Sequence, residues 1–262
     1  MNFAPVGIKC PDHAGVGAPR RVSAPRQVRQ VRRTVGGVDA PATVALIGIN
    51  ILVYLVTVYQ GFGVSQPGGS LFEWGQLVGS DVADGDWWRL GSAMFLHGSL
   101  LHLAFNMVAL WIVGMVVEQA LGTSRFLLVY VVSGLAGSAG ALLLPIARSG
   151  GGFVFDYQPD RATVGASGAI YGLFGALLIL EYVATGTLAG QAMALIAVNL
   201  AISLVIPGIS IGGHLGGLIG GTLATYAIIR TRAQTAALGP TIAVLVGAVC
   251  VALAYLRVES YV

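Results

Sequence analysis

Ser167 stands in the stretch Gly165-Ala166-Ser167-Gly168-Ala169-Ile170-Tyr171-Gly172, at the head of a long apolar run. The flanking glycines let another backbone, or a substrate carbonyl, come close to its hydroxyl. Tyr171 is four residues on and shares the face of Ser167 on a helix. Small residues also make packing surfaces between membrane helices, so the stretch alone does not decide between packing and chemistry. Three other polar residues do. His102 and Asn106, one helical turn apart, lie near the start of another apolar run, and His214 lies near the start of a third. Polar groups in spans are costly and mark a function or a buried partner. These four have the makings of acyl transfer. Ser167 is the nucleophile, and a free hydroxyl needs a base. His214 can take its proton and return it to a leaving amine. Amides at the start of the Ser167 helix, with His102 and Asn106 side chains, can donate to the developing oxyanion. Glu118 and Glu181 fall at the far ends of their runs, so a dyad is expected, with Tyr171 holding the imidazole by stacking.

The elements that must position this set are membrane helices. The chain has 262 residues, is 56% hydrophobic and only 10% charged, with 38 glycines. Soluble domains carry roughly 25% charged residues, and glycine is frequent in membrane helices. Seven spans are expected: about 41–61, 100–117, 126–145, 165–181, 192–206, 212–229 and 241–256. The segment 63–97 is too rich in Trp74, Trp87, Trp88 and acidic residues for a linker and reads as an interfacial loop. Residues 1–40 are polar and basic, and read as a disordered cytoplasmic tail. Cys10 and His13 make only half of a zinc site, Cys10 and Cys250 suggest no disulfide framework, and no metal or cofactor is called for. Cytoplasmic segments collect the tail arginines, Arg125, Arg230 and Arg232 if the N-terminus is inside, which places the C-terminus outside. Spans two, four and six then run in the same direction and bring His102, Asn106, Ser167 and His214 to one depth near the outer surface. The glycine rows 213, 217, 221 and 212, 216, 220 are expected to bring the sixth span close to the fourth.

The run lacks the His-Glu-x-x-His of a membrane metalloprotease and the intramembrane aspartate pair of an aspartyl protease. His97, at a loop-to-helix boundary, reads as structural. The chain resembles the rhomboid family of intramembrane serine proteases. The matching pieces are Trp88-Arg89, His102-x-x-x-Asn106, Glu118-x-x-x-Gly122, Gly165-x-Ser167-Gly168 and His214-x-x-Gly217-x-x-x-Gly221. The resemblance implies an all-α polytopic membrane protein with a six-helix core over 41–230, followed by a linker and a seventh helix in 231–262. It implies a Ser167–His214 dyad, an oxyanion hole from His102, Asn106 and the Ser167 amide, and supporting roles for Trp88, Arg89 and Glu118. It also implies transmembrane protein substrates within the lipid bilayer and no nucleic acid; the segment 207–213 would be a cap and the fifth helix a lateral gate. Oligomeric state is left open.

Two rivals stand beside it. A catalytically dead relative that escorts clients would have lost Ser or His, and both are here. A transporter would place polar groups at several depths rather than at one. The topology has a direct test: a reporter fused after Tyr261 is expected to report an outer C-terminus, and a cytoplasmic signal would reject the orientation or the seventh span.

Overall fold

The computed structural model describes residues 2–4, 7–9, 40–149, 152–155 and 160–261. It divides into two units, Met1–Asp39 and Ala40–Val262. In the first, β1 (Asn2–Ala4) pairs antiparallel with β2 (Gly7–Lys9). The expected irregular tail thus begins with a short hairpin, while Cys10, His13 and the tail arginines lie outside the described residues.

The second unit is a helical bundle. Its elements are α1 (Pro41–Gln60), the short α2 (Ser70–Gly75), α3 (Gly79–Ala83) and α4 (Arg89–Ser92), then α5 (Leu100–Leu121) and α6 (Thr123–Leu143). A two-stranded hairpin, β3 (Ile146–Ser149) with β4 (Gly152–Phe155), precedes α7 (Ser167–Thr185), α8 (Gln191–Val205), α9 (Ile211–Arg230) and α10 (Leu238–Val258). Within lipid every backbone group must be paired internally, so apolar runs of this length fold as helices. Five of them, α1, α5, α6, α7 and α10, are long and apolar enough to cross a membrane by length and composition. The expected fifth and sixth spans differ for physical reasons. With 15 residues, α8 rises only about 22 Å, short of a hydrocarbon core of about 30 Å. With 20 residues α9 is long enough, but six glycines, His214 and Arg230 dilute its hydropathy.

Both glycine rows of α9 work, against two different partners. A Cβ on Gly217 would collide with the carbonyl of Gly168, and one on Gly221 with the backbone of Gly172, so this row seats α9 on α7. Gly212 and Gly216 instead meet the carbonyls of Gly140 and Ala136 on α6. The expectation that both rows face the fourth span is therefore corrected. Adjacent helix positions differ by about 100° in direction, so neighbouring rows must address neighbouring helices.

Loop 61–99 is built around Arg89, which is 7% exposed. Its guanidinium pairs with Asp81 at 3.0 Å and Asp86 at 2.9 Å, and donates to the carbonyls of Glu73 and Gln76 at 2.6 and 2.9 Å. Trp88 stacks on Trp74 with centroids 5.5 Å apart. Leu77, Val82 and Leu90 of this loop form one apolar cluster with Leu142 of α6 and with Ala254 and Val258 of α10. The C-terminal end of α10 therefore lies at the loop end of the bundle.

At the opposite end, Glu118 is 2% exposed and accepts from the Ala42 and Thr43 amides at 3.0 and 2.8 Å and from the Thr43 and Thr123 hydroxyls at 2.8 Å each. This carboxylate caps the first turn of α1, where negative charge is favoured. Glu118→Gln turns a donor toward donors and removes the charge. We expect it to cost about 2–3 kcal/mol, read as a lower unfolding midpoint in detergent; a midpoint equal to that of wild type would show that the cluster contributes nothing.

Candidate active site

Each candidate residue sits in the first turn or two of its helix, and local caps put it there. Ser99 caps α5 by accepting the His102 amide at 3.2 Å. Ser210 caps α9 by accepting the Gly213 amide at 3.1 Å, and its carbonyl accepts the His214 amide at 3.1 Å. Ser167 is the first residue of α7, where helix geometry leaves the leading N–H groups without intrahelical acceptors. The segment before it is tied down by a bridge between Leu77 and Thr163, with N···O distances of 3.0 and 2.8 Å, and by the Gly165 amide on the Ala93 carbonyl at 2.9 Å. Gly165 has φ +134°, and a Cβ there would come within 2.8 Å of the His102 ring and 3.7 Å of Ser167 Oγ. Only glycine satisfies both the backbone and the close approach.

Ser167, His214, His102, Asn106 and Gly165 all line one cavity of about 990 Å³, together with apolar side chains of α5 and α8 such as Phe105 and Ile202. The Tyr171 ring stacks on the His214 imidazole, centroids 4.0 Å apart and planes 18° apart. Among the described residues no hydrogen bond joins Ser167 to His214; catalytic hydrogen bonds are commonly long before substrate binds. Asn106 is 6% exposed, and its Nδ2 donates back to the His102 carbonyl at 2.9 Å, which leaves its second N–H for a ligand by count. His97 is fully buried and edge-on to His102, with centroids 5.1 Å apart. Burial, with His102 adding to it, holds the His97 imidazole neutral, its pKa lowered to about 3. Trp88, Arg89 and Glu118 do not line this cavity; they hold the loop and the far end of the bundle.

The sequence reading passed over Ser203. Its hydroxyl lies 2.7 Å from His214 Nδ1 and 2.8 Å from the Tyr171 hydroxyl, and donates to the Asn199 carbonyl at 2.8 Å. The signal was present, since Asn199 and Ser203 are polar residues one turn apart in an apolar run.

The fold and site together define a multi-pass α-helical membrane protein with a largely apolar cavity at one end into which a few polar side chains project. The Rhomboid domain family model matches residues 84–231, more than half of the chain. The chain belongs to the rhomboid family. It is 36% identical over 165 residues to rhomboid protease GluP of Bacillus subtilis (strain 168), covering 60% of this chain and 29% of that relative. It is 32% identical over 145 residues to rhomboid protease AarA of Providencia stuartii, covering 52% and 50%. RHOMBOID-like protein 5 of Arabidopsis thaliana is 44% identical over 97 residues, covering 37% and 28%. The chain thus spans half or less of the length of these curated relatives.

If the cavity is a protease site, Gly165→Ala should cost activity by tenfold or more while the protein still inserts, because the new methyl group must displace His102 from beside Ser167. The measurement is turnover of a model transmembrane substrate with expression checked in parallel; unchanged turnover would show that the His102–Gly165 contact is incidental.

Proposed function

We propose that this chain is an intramembrane serine endopeptidase that cleaves transmembrane segments of other membrane proteins through an acyl-enzyme. The observation that carries the reading is that one cavity holds Ser167 and His214, with Tyr171 stacked on the imidazole. Ser167 Oγ attacks the scissile carbonyl carbon as His214 Nε2 accepts its proton. The oxyanion is held by N–H groups at the head of α7 and by donors from His102 and Asn106. His214 then passes the proton to the departing amine, and water, activated by the same imidazole, releases the acyl group. The core is residues 41–230. The N-terminus is cytoplasmic and the cavity opens on the outer side, the side on which α10 ends. Entry of an apolar substrate from the bilayer is supported by the cavity wall: Phe105 and Ile202 line it and are 66% and 45% exposed. Helix α8, which buries only Ala192, Ile196 and Ser203, is the lightly anchored side.

Nucleophile and base should behave as one unit. Ser167→Ala, His214→Ala and the double variant are each expected to lose activity by about a thousandfold or more, the double no worse than either single, because such losses are non-additive. The assay is cleavage of a transmembrane substrate in proteoliposomes. Near-normal turnover by a well-folded His214→Ala would sink the dyad.

A further inference from the structure

Three groups converge on the hydroxyl of Ser203, and counting protons assigns them. A serine hydroxyl has one proton to give and two lone pairs to receive. The Asn199 carbonyl, 2.8 Å away, can only accept, so it takes the Ser203 proton. With that proton spent, the Tyr171 hydroxyl at 2.8 Å and His214 Nδ1 at 2.7 Å must both donate to Ser203. This assignment satisfies all three contacts at once. The reverse, Ser203 donating to Nδ1, leaves the Asn199 contact without a proton. It also puts the imidazole proton on Nε2, where the ring could not accept from a nucleophile.

From this geometry we infer that Ser203 is a positioning residue for the base: it fixes His214 as the Nδ1–H tautomer and leaves Nε2 as the acceptor facing the cavity. The inference rests on the protease reading for its catalytic consequence, but the tautomer stands apart from it. Ser203 is 4% exposed, so water does not compete for Nδ1. The contact also favours the reaction as it proceeds. When His214 takes up a proton at Nε2, Nδ1–H becomes a charged donor to the same oxygen, and hydrogen bonds from charged donors are roughly twice as strong as neutral ones. An interaction that strengthens toward the transition state raises kcat rather than substrate affinity. Tyr171 serves the base twice, stacking on its ring and filling the other lone pair of Ser203, which leaves Ser203 no freedom to turn toward another partner. Three helices contribute: Tyr171 comes from α7, Ser203 from α8 and His214 from α9. The base is therefore aligned only while α8 is seated.

The chain has four histidines, so nitrogen-15 labelling of histidine in the full-length protein in nanodiscs gives a readable spectrum, with the His214 signals assigned by their loss in His214→Ala. The wild type should show a protonated Nδ1 and a bare Nε2. Ser203→Ala should give a tautomer mixture and lower kcat by about tenfold to a hundredfold, with KM within about twofold. Ser203→Thr, which keeps the hydroxyl, should restore the tautomer and most of kcat. A wild-type His214 protonated on Nε2 overturns the inference. So does a folded Ser203→Ala with kcat within twofold of wild type. If Ser203→Ala does not fold, the wild-type tautomer decides alone. A wild-type chain that cleaves no transmembrane substrate would reject the protease reading, and the tautomer measurement would still settle the role of Ser203.

Discussion

Direct backbone contact between α9 and α7 is the constraint on which the site depends. Gly217 rests on Gly168, and Gly221 on Gly172, with no room for a Cβ at either position of α9. In lipid there is no hydrophobic drive to press helices together, so close packing of small residues has to supply the association. That contact begins one residue beyond Ser167 and three beyond His214 in their helices. A side chain at Gly217 would push the two helix starts apart, and with them Ser167 and His214. The second row, resting on Gly140 and Ala136 of α6, fixes how α9 is rotated and hence which way His214 faces. A helix held along two rows of backbone contact can neither roll nor slide, and a misplacement of about 1 Å at a reacting pair is worth roughly a hundredfold in rate.

Charges follow the same logic at the two ends. The bundle interior is apolar, so the buried Glu118 and Arg89 and the half-buried Glu181 sit where backbone groups are left open. Glu118 caps the start of α1, and Glu181 accepts the Gln191 and Ala192 amides at 2.9 and 2.8 Å and so caps α8. At the other end Arg89 takes two carboxylates and two loop carbonyls and folds the long connection into a platform. Ser138 of α6 donates to Leu90 of that platform at 2.8 Å, and the Leu77–Thr163 bridge carries it on to the residues before Ser167. Loop and bundle together set the entry of α7.

Much of this was legible in the sequence because apolar length and caps are local properties. The seven runs came out as helices within a few residues of their expected bounds, since a run of apolar residues in lipid has no alternative to the helix. Position along the helix was legible too: His102, Ser167 and His214 each lie in the first turn of their helix, and that is a statement about order along the chain. Direction around a helix was harder. Which glycine row meets which neighbour depends on the arrangement of α6 and α7 about α9, and no single run encodes that arrangement. The strand pair Ile146–Ser149 and Gly152–Phe155 was missed because glycine and charge there look like any loop. Ser203 was missed because its partners come from two other helices.

Ser203 also shows how polar residues in such a bundle divide. A serine, threonine or asparagine in an apolar helix has a default acceptor in the carbonyl one turn back, and this chain uses it often. Ser133 donates to Val129, Thr222 to Leu218, Asn199 to Leu195 and Asn50 to Leu46. Such a bond gives the side-chain donor an acceptor at home without any function. Ser203 makes the same bond to Asn199, yet its two lone pairs reach α7 and α9. A back-bonded hydroxyl has its proton committed, which makes it a pure acceptor toward everything else. That is the property a general base needs in the group behind it, since an acceptor at Nδ1 keeps the proton there and frees Nε2. A carboxylate supplies the same acceptor elsewhere, at the cost of burying a charge. In an interior this apolar, a hydroxyl held by its own helix does so without one.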